Sequence, residues 1–293
     1  MALPLESVPN VSEGCDPDAL AALRDAFSAP ARLLDVHADP DHHRSVYTLV
    51  GEEDALVETL LAGAGRAVEV VDLRRHEGAH PRIGAVDVLP IVPLRPEDEE
   101  RARAVALTLA DRLADELRLP VFFYGRLSED AREPAFLRRG GTEELARRLA
   151  AGELAPDRGP AELHPGAGGV ILGVRRPLIA FNVNFRTRDV EVARAVAAAV
   201  RERDGGFPGV RALGLDLPSA GLAQVSMNVT DWEAAARRAE VAGASSSGSC
   251  RPAPRSRPPA PRSGSRASTE AACSSCACSI PERSTLESRP GGC

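Results

Sequence analysis

Short apolar runs alternate along the chain with longer segments whose apolar residues recur at helical spacing, from residue 5 to about residue 241. The short runs have the length and composition of strands and cover residues 5–8, 32–36, 45–50, 86–92, 121–124, 170–174, 178–185, 210–215 and 222–229. The longer segments predict helices over residues 16–27, 53–70, 96–113, 142–152 and 189–203, with a further helix start at residue 232. This alternation favours an α/β fold in which helices are layered on sheets.

Local residues set the ends of several predicted helices. Asp16 is a suitable N-cap, and Pro17 is a suitable first helical residue. Pro96 and the four acidic residues after it form a first turn that the helix dipole favours, so this acidic run is interpreted as a helix start rather than a ligand site. The apolar stripe of that helix should be buried, and it comprises Ala102, Val105, Ala106, Leu109 and Leu113.

The pattern divides the chain into three regions. Residues 1–174 and 175–243 each contain strands and helices, and we expect two subdomains, each with a mixed or antiparallel sheet covered by helices. The second region has the order β-α-β-β, which is three quarters of a split β-α-β unit without its closing helix and strand. The predicted fold class is therefore α/β (α+β), with an incomplete second subdomain and a tail over residues 244–293.

The tail from residue 245 is dominated by Ser, Pro, Arg, Gly and Cys, and Ile280 and Leu286 are its only aliphatic side chains larger than Ala. Such a segment cannot bury enough apolar surface to offset its ordering entropy, so we expect it to be disordered. A shifted reading frame in GC-rich DNA would produce this composition, and we favour that origin over an evolved extension. Cys273, Cys276 and Cys278 have no second spaced pair and no histidine near them, so no metal site is expected there.

Composition and charge argue against several classes of function. Hydrophobic residues make up 43% of the chain, but aromatic residues make up only 3%, so a core must be built from Ala, Val and Leu. The net charge is -6 with both signs interspersed, and we expect no basic face for nucleic acid. No apolar run approaches the roughly 18 to 20 residues needed to cross a bilayer, and no export signal is recognised at the N-terminus. These features predict a cytoplasmic protein without nucleic-acid or membrane partners.

The stretch richest in reactive groups is the polar segment 76–88, which runs directly into the apolar strand 86–92. It contains His76, His80 and Arg82 together with two carboxylates, and its Pro and Gly residues prevent a continuous helix. This composition is typical of a loop that carries a site on a rigid strand. Histidine can carry a proton near neutral pH, and arginine can bind an anionic group. The alternative is a solvated loop without a function.

Two other segments are candidates for a site. The polar turn 37–44 carries His37, His42 and His43. It is either an exposed hairpin loop, a second wall of the site at His80, or a metal site. The glycine-rich turn 165–169 would let backbone amides approach a ligand, although a tight entry into the next strand explains it equally well. It is not a dinucleotide-binding motif, because no helix follows it.

Five blocks of the chain have a distinctive sequence: residues 6–14 (ESVPNVSEG), residues 34–37 with 43–48 (LDVH and HRSVYT), residues 80–87 (HPRIGAVD), residues 180–184 (AFNVN) and residues 223–228 (AQVSMN). In order and approximate spacing, these blocks resemble the glutamate formiminotransferase family. Several of these blocks are polar and non-repetitive, and no general fold pattern requires them. The resemblance ends after Trp232, where the family continues with an amphipathic helix and an apolar strand.

The resemblance implies a transferase that moves the formimino group from N-formimino-L-glutamate to tetrahydrofolate, in the route that degrades histidine to glutamate. Tetrahydrofolate would be a co-substrate, no metal would take part, and the protein would form a homodimer. His80 would be the acid-base residue, because the ordinary pKa of histidine, about 6.5, lies near working pH. A protein that binds folate or an acidic metabolite without turnover is the alternative, since the altered C-terminal region would damage the second subdomain.

The resemblance also implies binding residues. Arg82 would hold a carboxylate of the substrate, and Asp35, His37 and Arg44 would orient His80 or the substrate. Asn182 and Asn184 would offer amide hydrogen bonds from the second subdomain. Folate would lie between the two subdomains, against Pro160, Ala161, Glu162, Leu163, His164, Pro165, Gly166, Ala167, Gly168 and Gly169.

Overall fold

The computed structural model describes residues 3–76, 81–218 and 220–246. The strands in these ranges are β1 (Leu5–Ser7), β2 (Asn10–Val11), β3 (Arg32–Asp39), β4 (Arg44–Gly51), β5 (Val86–Val92), β6 (Val121–Gly125), β7 (Val170–Val174), β8 (Ile179–Phe185), β9 (Val210–Leu217) and β10 (Leu222–Val229). The helices are α1 (Pro17–Ala26), α2 (Glu53–Val70), α3 (Glu99–Glu116), α4 (Pro134–Leu137), α5 (Gly141–Ala150), α6 (Val190–Val200) and α7 (Trp232–Ser246). Short 3-10 turns lie at Leu73–Arg75, Pro96–Asp98 and Glu202–Asp204.

The first sheet is mixed and contains seven strands within the described residues. β1 and β2 lie end to end between β4 and β5, because each of them pairs antiparallel with both of these strands. β3 pairs antiparallel with β4 at one edge. On the other side of the sheet β5, β7 and β6 run parallel. β5 therefore joins the antiparallel and parallel halves, and the polar segment before it enters the sheet at its centre.

Helices cover both faces of the parallel half of this sheet. α1, α2 and α3 enclose the main core, and the apolar stripe predicted for α3 is buried there. α1 starts as predicted, since the Asp16 carboxylate accepts hydrogen bonds from the backbone N–H groups of Asp18 and Ala19. A second cluster packs α4 and α5 against strand residues that alternate with those of the main core. Side chains that alternate along a strand point to opposite faces, so α4 and α5 cover the opposite face.

The second sheet is antiparallel, with the order β8-β10-β9 within the described residues. Ala193 and Ala197 of α6 pack against its apolar face, over β9 and β10. On β8 the same apolar face is left uncovered, and Ile179 is 51% exposed and Phe181 is 57% exposed. α7 continues the β-α-β-β order with a helix, yet Ile179 and Phe181 stay exposed on this face.

The structure confirms the α/β class and the predicted order of strands and helices, with local differences. β3 and β4 extend further than expected, so the turn between them shortens from residues 37–44 to residues 40–43. β2 and α4 were not predicted. Residues 244–246, expected in the tail, belong to α7, and the rest of the predicted disordered tail lies outside the described residues. None of the helices in the described ranges combines the length and apolar character needed to span a bilayer.

Candidate functional site

The turn between β3 and β4 carries two histidines, and each of them lies beside a carboxylate. His42 is buried, and its Nδ1 lies 2.6 Å from Oδ2 of Asp39. Burial alone would raise the pKa of Asp39, but hydrogen bonds from the backbone and side chain of His42 outweigh it and lower that pKa. His43 has a left-handed backbone with φ of 47°, and its Nε2 lies 3.4 Å from Oε1 of Glu13. The turn is therefore more ordered than an exposed hairpin loop.

His76 and Arg82 lie against this turn. The His76 ring stacks on the His43 ring with centroids 3.9 Å apart. Arg82 donates from Nη1 to the His43 carbonyl at 3.1 Å and from Nη2 to the His42 carbonyl at 3.0 Å. Burial, with repulsion from Arg82 and His43, lowers the pKa of His76 to about 4. His76 is accordingly neutral at physiological pH and is poorly matched to proton transfer there.

His80, the predicted acid-base residue, lies outside the described residues. The nearest described residues along the chain are His76 on one side and Pro81 on the other. Its assignment therefore stays a prediction.

Asp87 is a buried carboxylate that pairs with one guanidinium group and acts electrostatically on two others, and we call Arg44, Arg82, Arg138 and Asp87 the arginine cluster. Asp87 on β5 is 1% exposed, and it accepts hydrogen bonds from the backbone N–H of Ile83 and from Nη2 of Arg138. Burial lowers the pKa of Arg82 to about 10, and repulsion from Arg44 and Arg138 adds to this while Asp87 opposes it. Burial and repulsion from Arg138 also lower the pKa of Arg44. The three guanidinium groups and the Asp87 carboxylate therefore interact electrostatically. The net charge of the arginine cluster is positive.

The glycine-rich segment 160–169 packs against the residues that lead into β5. His164 and Gly168 close a tight turn with reciprocal backbone hydrogen bonds of 2.9 and 2.8 Å. Gly169 N–H donates to the Ile83 carbonyl at 2.9 Å, and Ala85 N–H donates to the Ala167 carbonyl at 2.8 Å. The predicted folate segment and block 80–87 of the resemblance are thus in direct contact.

Gly168 is required by this contact whether or not a ligand binds. Its φ is +68°, and a Cβ atom there would lie 2.1 Å from the Ile83 carbonyl oxygen. Of the two explanations left open by the sequence, the tight strand-entry turn is therefore sufficient to account for a glycine at this position.

Two shallow grooves border segment 160–169. One has a volume of about 370 Å³ and is lined by Leu73, Thr142, Glu143, His164 and Gly168 among others. The neighbouring groove, of about 420 Å³, lies between α5 and residues 161–163. Both grooves are formed by α5 on one side and the predicted folate segment on the other.

The other predicted site residues divide into groups by position. Arg44 and Arg82 belong to the arginine cluster. Asp35 and His37 are exposed on β3. Asn182 and Asn184 are exposed on β8, where the side-chain Oδ1 of Asn184 accepts a hydrogen bond from Nε2 of Gln224 at 2.8 Å. Within the predicted folate segment, Ala161, Glu162 and Pro165 are exposed, Pro160, Leu163, His164 and Gly166 are partly buried, and Ala167, Gly168 and Gly169 are buried.

The sequence interpretation assigned no site role to His76, Asp87 or Arg138, or to the pairing of His42 with Asp39. His76 and Asp87 lie within the polar segment 76–88, which the sequence marks as a candidate site, so their positions near the site were indicated by the sequence. No sequence feature indicates Arg138, because it is 51 residues from its partner Asp87 and follows a helix of only four residues. Among the described residues, no group of three or more His, Cys, Asp or Glu side chains is arranged to hold a metal ion.

A mixed sheet that gathers guanidinium, imidazole and carboxylate groups beside a glycine-rich segment is typical of an enzyme that acts on an anionic small molecule. Two family models match the chain: the formiminotransferase domain, N-terminal subdomain, over residues 4–175, and the formiminotransferase domain over residues 180–242. The chain belongs to the formiminotransferase family.

Named relatives agree with this family. The chain is 37% identical over 234 residues to the glutamate formimidoyltransferase of Thermoplasma acidophilum, covering 78% of this chain and 77% of that protein. It is 36% identical over 240 residues to the glutamate formimidoyltransferase of Streptococcus pyogenes serotype M1, covering 80% and 79%. It is 39% identical over 243 residues to the formimidoyltransferase-cyclodeaminase of Rattus norvegicus, covering 79% of this chain but 44% of that longer protein.

Proposed function

We propose that this chain is a glutamate formimidoyltransferase that transfers the formimino group of N-formimino-L-glutamate to tetrahydrofolate. The observation that carries the proposal is the match of both formiminotransferase models, which together cover residues 4–175 and 180–242. The site agrees in chemical character, because the donor carries two carboxylates and the arginine cluster has an excess of positive charge.

The reaction needs one bond to form and one to break. The secondary amine of the reduced pterin attacks the amidine carbon and loses a proton to a base. The bond between that carbon and the glutamate nitrogen then breaks, and the nitrogen takes a proton as L-glutamate leaves. We assign both proton transfers to His80, since the same histidine can take the first proton and return it to the leaving nitrogen. The neutral, half-buried His76 is less suited to this role because its pKa is about 4.

We assign folate to segment 160–169 and the grooves beside it. The support is the contact between this segment and the residues that lead into β5, together with the two grooves that it forms with α5. Residues 1–174 and 175–243 form two subdomains in this proposal, and Asn182 and Asn184 act from the second one. We also propose that the chain is a cytoplasmic homodimer, for which light scattering coupled to gel filtration measures the mass in solution.

The test is release of L-glutamate by the purified chain. Incubation with N-formimino-L-glutamate and tetrahydrofolate should release L-glutamate and form 5-formiminotetrahydrofolate in equal amounts, measured by chromatography. Neither substrate alone should give product. N-formyl-L-glutamate in a parallel reaction decides which donor the site accepts. Folded protein that releases no L-glutamate from either donor contradicts the proposal.

A folate-binding protein without turnover is the second candidate, and the uncovered apolar face of β8 favours it. Phe181 is 57% exposed there, and an exposed apolar face is expected where a subdomain is incomplete. Calorimetric titration with tetrahydrofolate separates the two functions. Folate binding without L-glutamate release identifies a binding protein, and binding with release identifies the transferase.

A further inference from the structure

Arg138 is the residue directly after α4, and its side chain reaches across to the start of β5. The side chain is 15% exposed, and Nη2 donates to Oδ2 of Asp87, whose own side chain is 2% exposed. Asp87 is held from its other oxygen by the Ile83 N–H at 2.7 Å. The carboxylate therefore fixes Arg138 to the segment that enters the centre of the first sheet.

The Nε–H of Arg138 is buried and has no hydrogen-bond partner within the described residues. A buried donor on a charged group that lacks an acceptor is destabilising, and its cost exceeds that of a neutral group. Folded proteins pair the great majority of such groups, so an unpaired one at a site calls for an explanation. A ligand that brings an acceptor would satisfy it after a small shift of the guanidinium.

The surrounding charges identify that acceptor as an anion. Arg44 and Arg82 both feel repulsion from Arg138, and Asp87 is the carboxylate that attracts both of them. With three guanidinium groups and one carboxylate, the arginine cluster itself carries an excess of two positive charges, and the nearby Asp39 carboxylate, which attracts Arg44, offsets part of this excess. Arg44 and Arg82 are half-buried, so the cluster borders the surface, where a small ligand can reach it. A carboxylate would relieve the mutual repulsion and match the planar fork of a guanidinium.

We propose that Arg138 is a specificity-determining residue that binds a carboxylate of the donor substrate, with Asp87 as the residue that positions it. This inference rests on the proposed function for the identity of the donor, which is a dicarboxylate. Arg44 and Arg82 complete the site, so the cluster selects dicarboxylate donors over neutral formamidines. Asp87 holds the guanidinium in place before the substrate arrives and compensates part of its charge in the empty site.

The experiment compares Arg138→Met and Arg138→Lys with Arg139→Met. Arg139 is the adjacent arginine; it is exposed and its guanidinium lies 5.9 Å from the centre of the Phe136 ring, outside the cluster. Loss of a charge-assisted hydrogen bond should raise KM for N-formimino-L-glutamate about 10- to 100-fold in Arg138→Met. KM for tetrahydrofolate and kcat should stay within about threefold of the parent, and Arg139→Met should change neither. Arg138→Lys, which keeps the charge but not the fork, should be intermediate.

A double variant distinguishes a purely structural role of Arg138 from a role in binding the donor. If Arg138→Met fails to fold, Asp87→Asn/Arg138→Met removes the buried carboxylate charge along with its partner and leaves the net charge of the cluster unchanged. An unchanged donor KM in this variant or in Arg138→Lys overturns the proposal, as does an equal rise in both KM values.

Binding of glutarate tests the inference apart from turnover. Calorimetric titration of the parent with glutarate should show binding that Arg138→Met, or the double variant, weakens about 10-fold or more and that Arg139→Met retains. Should the parent release no L-glutamate, the proposed function fails while this measurement still decides the role of Arg138. An equal dissociation constant for glutarate in the parent and the Arg138 variants, or no binding to the parent, overturns the inference.

Discussion

Arg138 and Asp87 form a hydrogen-bonded ion pair that ties the loop after α4 to the first residues of β5. Both side chains are largely removed from water, and they are 51 residues apart in sequence. The pair therefore has a structural role in addition to any part it plays in binding, because it ties the loop after α4 to β5, the central strand of the sheet.

Removal of the carboxylate should destabilise the protein strongly. In Asp87→Ala the Arg138 guanidinium stays buried without its partner, and breaking such a pair costs about 3–5 kcal/mol. Urea unfolding followed by circular dichroism measures the difference. Glu144→Gln is the control, since Glu144 pairs with Arg147 at the exposed surface of α5 and its loss should leave the midpoint nearly unchanged. Similar midpoints for Asp87→Ala and the parent would show that the pair is not a stabilising contact.

Gly168→Ala should destabilise the protein much more than Gly152→Ala. Both glycines have a left-handed backbone, with φ of +68° and +69°, so both variants incur the same backbone strain of about 1 kcal/mol. Only at Gly168 would the new Cβ meet another atom, the Ile83 carbonyl oxygen at 2.1 Å, whereas nothing lies within 4 Å at Gly152. We expect Gly168→Ala to lower the free energy of unfolding by at least about 1 kcal/mol more than Gly152→Ala. Equal losses in urea unfolding would show that segment 160–169 adapts easily.

Stability should fall as the pH drops from about 6.5 towards about 4, and His76 should account for part of the loss. The pKa of His76 is about 4 in the folded chain, and in the unfolded chain it has the ordinary histidine value of 6.5. Between pH 4 and pH 6.5 the unfolded chain therefore binds more protons than the folded chain. The stabilising effect of a neutral His76 is thus fully present above pH 6.5 and is lost by pH 4. Because His76 is only half-buried, we expect about 1–3 kcal/mol. His76→Gln should flatten the pH dependence of urea unfolding in this window, and an unchanged slope would contradict the shifted pKa.

His80→Ala should lower kcat about 100- to 10,000-fold, the usual contribution of a general acid-base group. KM for tetrahydrofolate should change little, because the imidazole acts on the transferred protons rather than on the pterin ring. His80→Gln, which keeps a hydrogen-bonding group without a proton to exchange, should be as slow as His80→Ala. Steady-state kinetics of L-glutamate release decides the assignment, and kcat within threefold of the parent in either variant excludes it.

Much of the fold was predictable because its signals are local. Asp16 and Pro17 define the start of α1, and the apolar stripe of α3 recurs at helical spacing, so both features were read from neighbouring residues. β2 escaped prediction because its two residues are defined by pairing with β4 and β5, not by their own pattern. α4, with four residues, is too short to show a helical period.

The site was predictable only in part, for a related reason. Arg44 and Arg82 were predicted from blocks of the family resemblance, and segment 160–169 was predicted from the folate segment of the family. The structure brings Arg44 and Arg82 together, and the roles of all these residues stay predictions. Arg138 depends on a contact with Asp87 that forms only when the chain has folded, and nothing in the residues around it marks it as different from Arg139. The low pKa of His76 likewise follows from burial and from nearby cations, which are properties of the assembled structure.

Successive side chains of a strand point to opposite faces of the sheet, so on β8 the side chains of Phe181 and Asn182 lie on opposite sides of the same strand. β8 is an edge strand of its sheet within the described residues, and the side that carries Phe181 has no helix over it. A molecule or segment packed on Phe181 would therefore contact β8 from the side opposite to Asn182 and Asn184, and it would leave the hydrogen bond between Asn184 and Gln224 accessible from the other face.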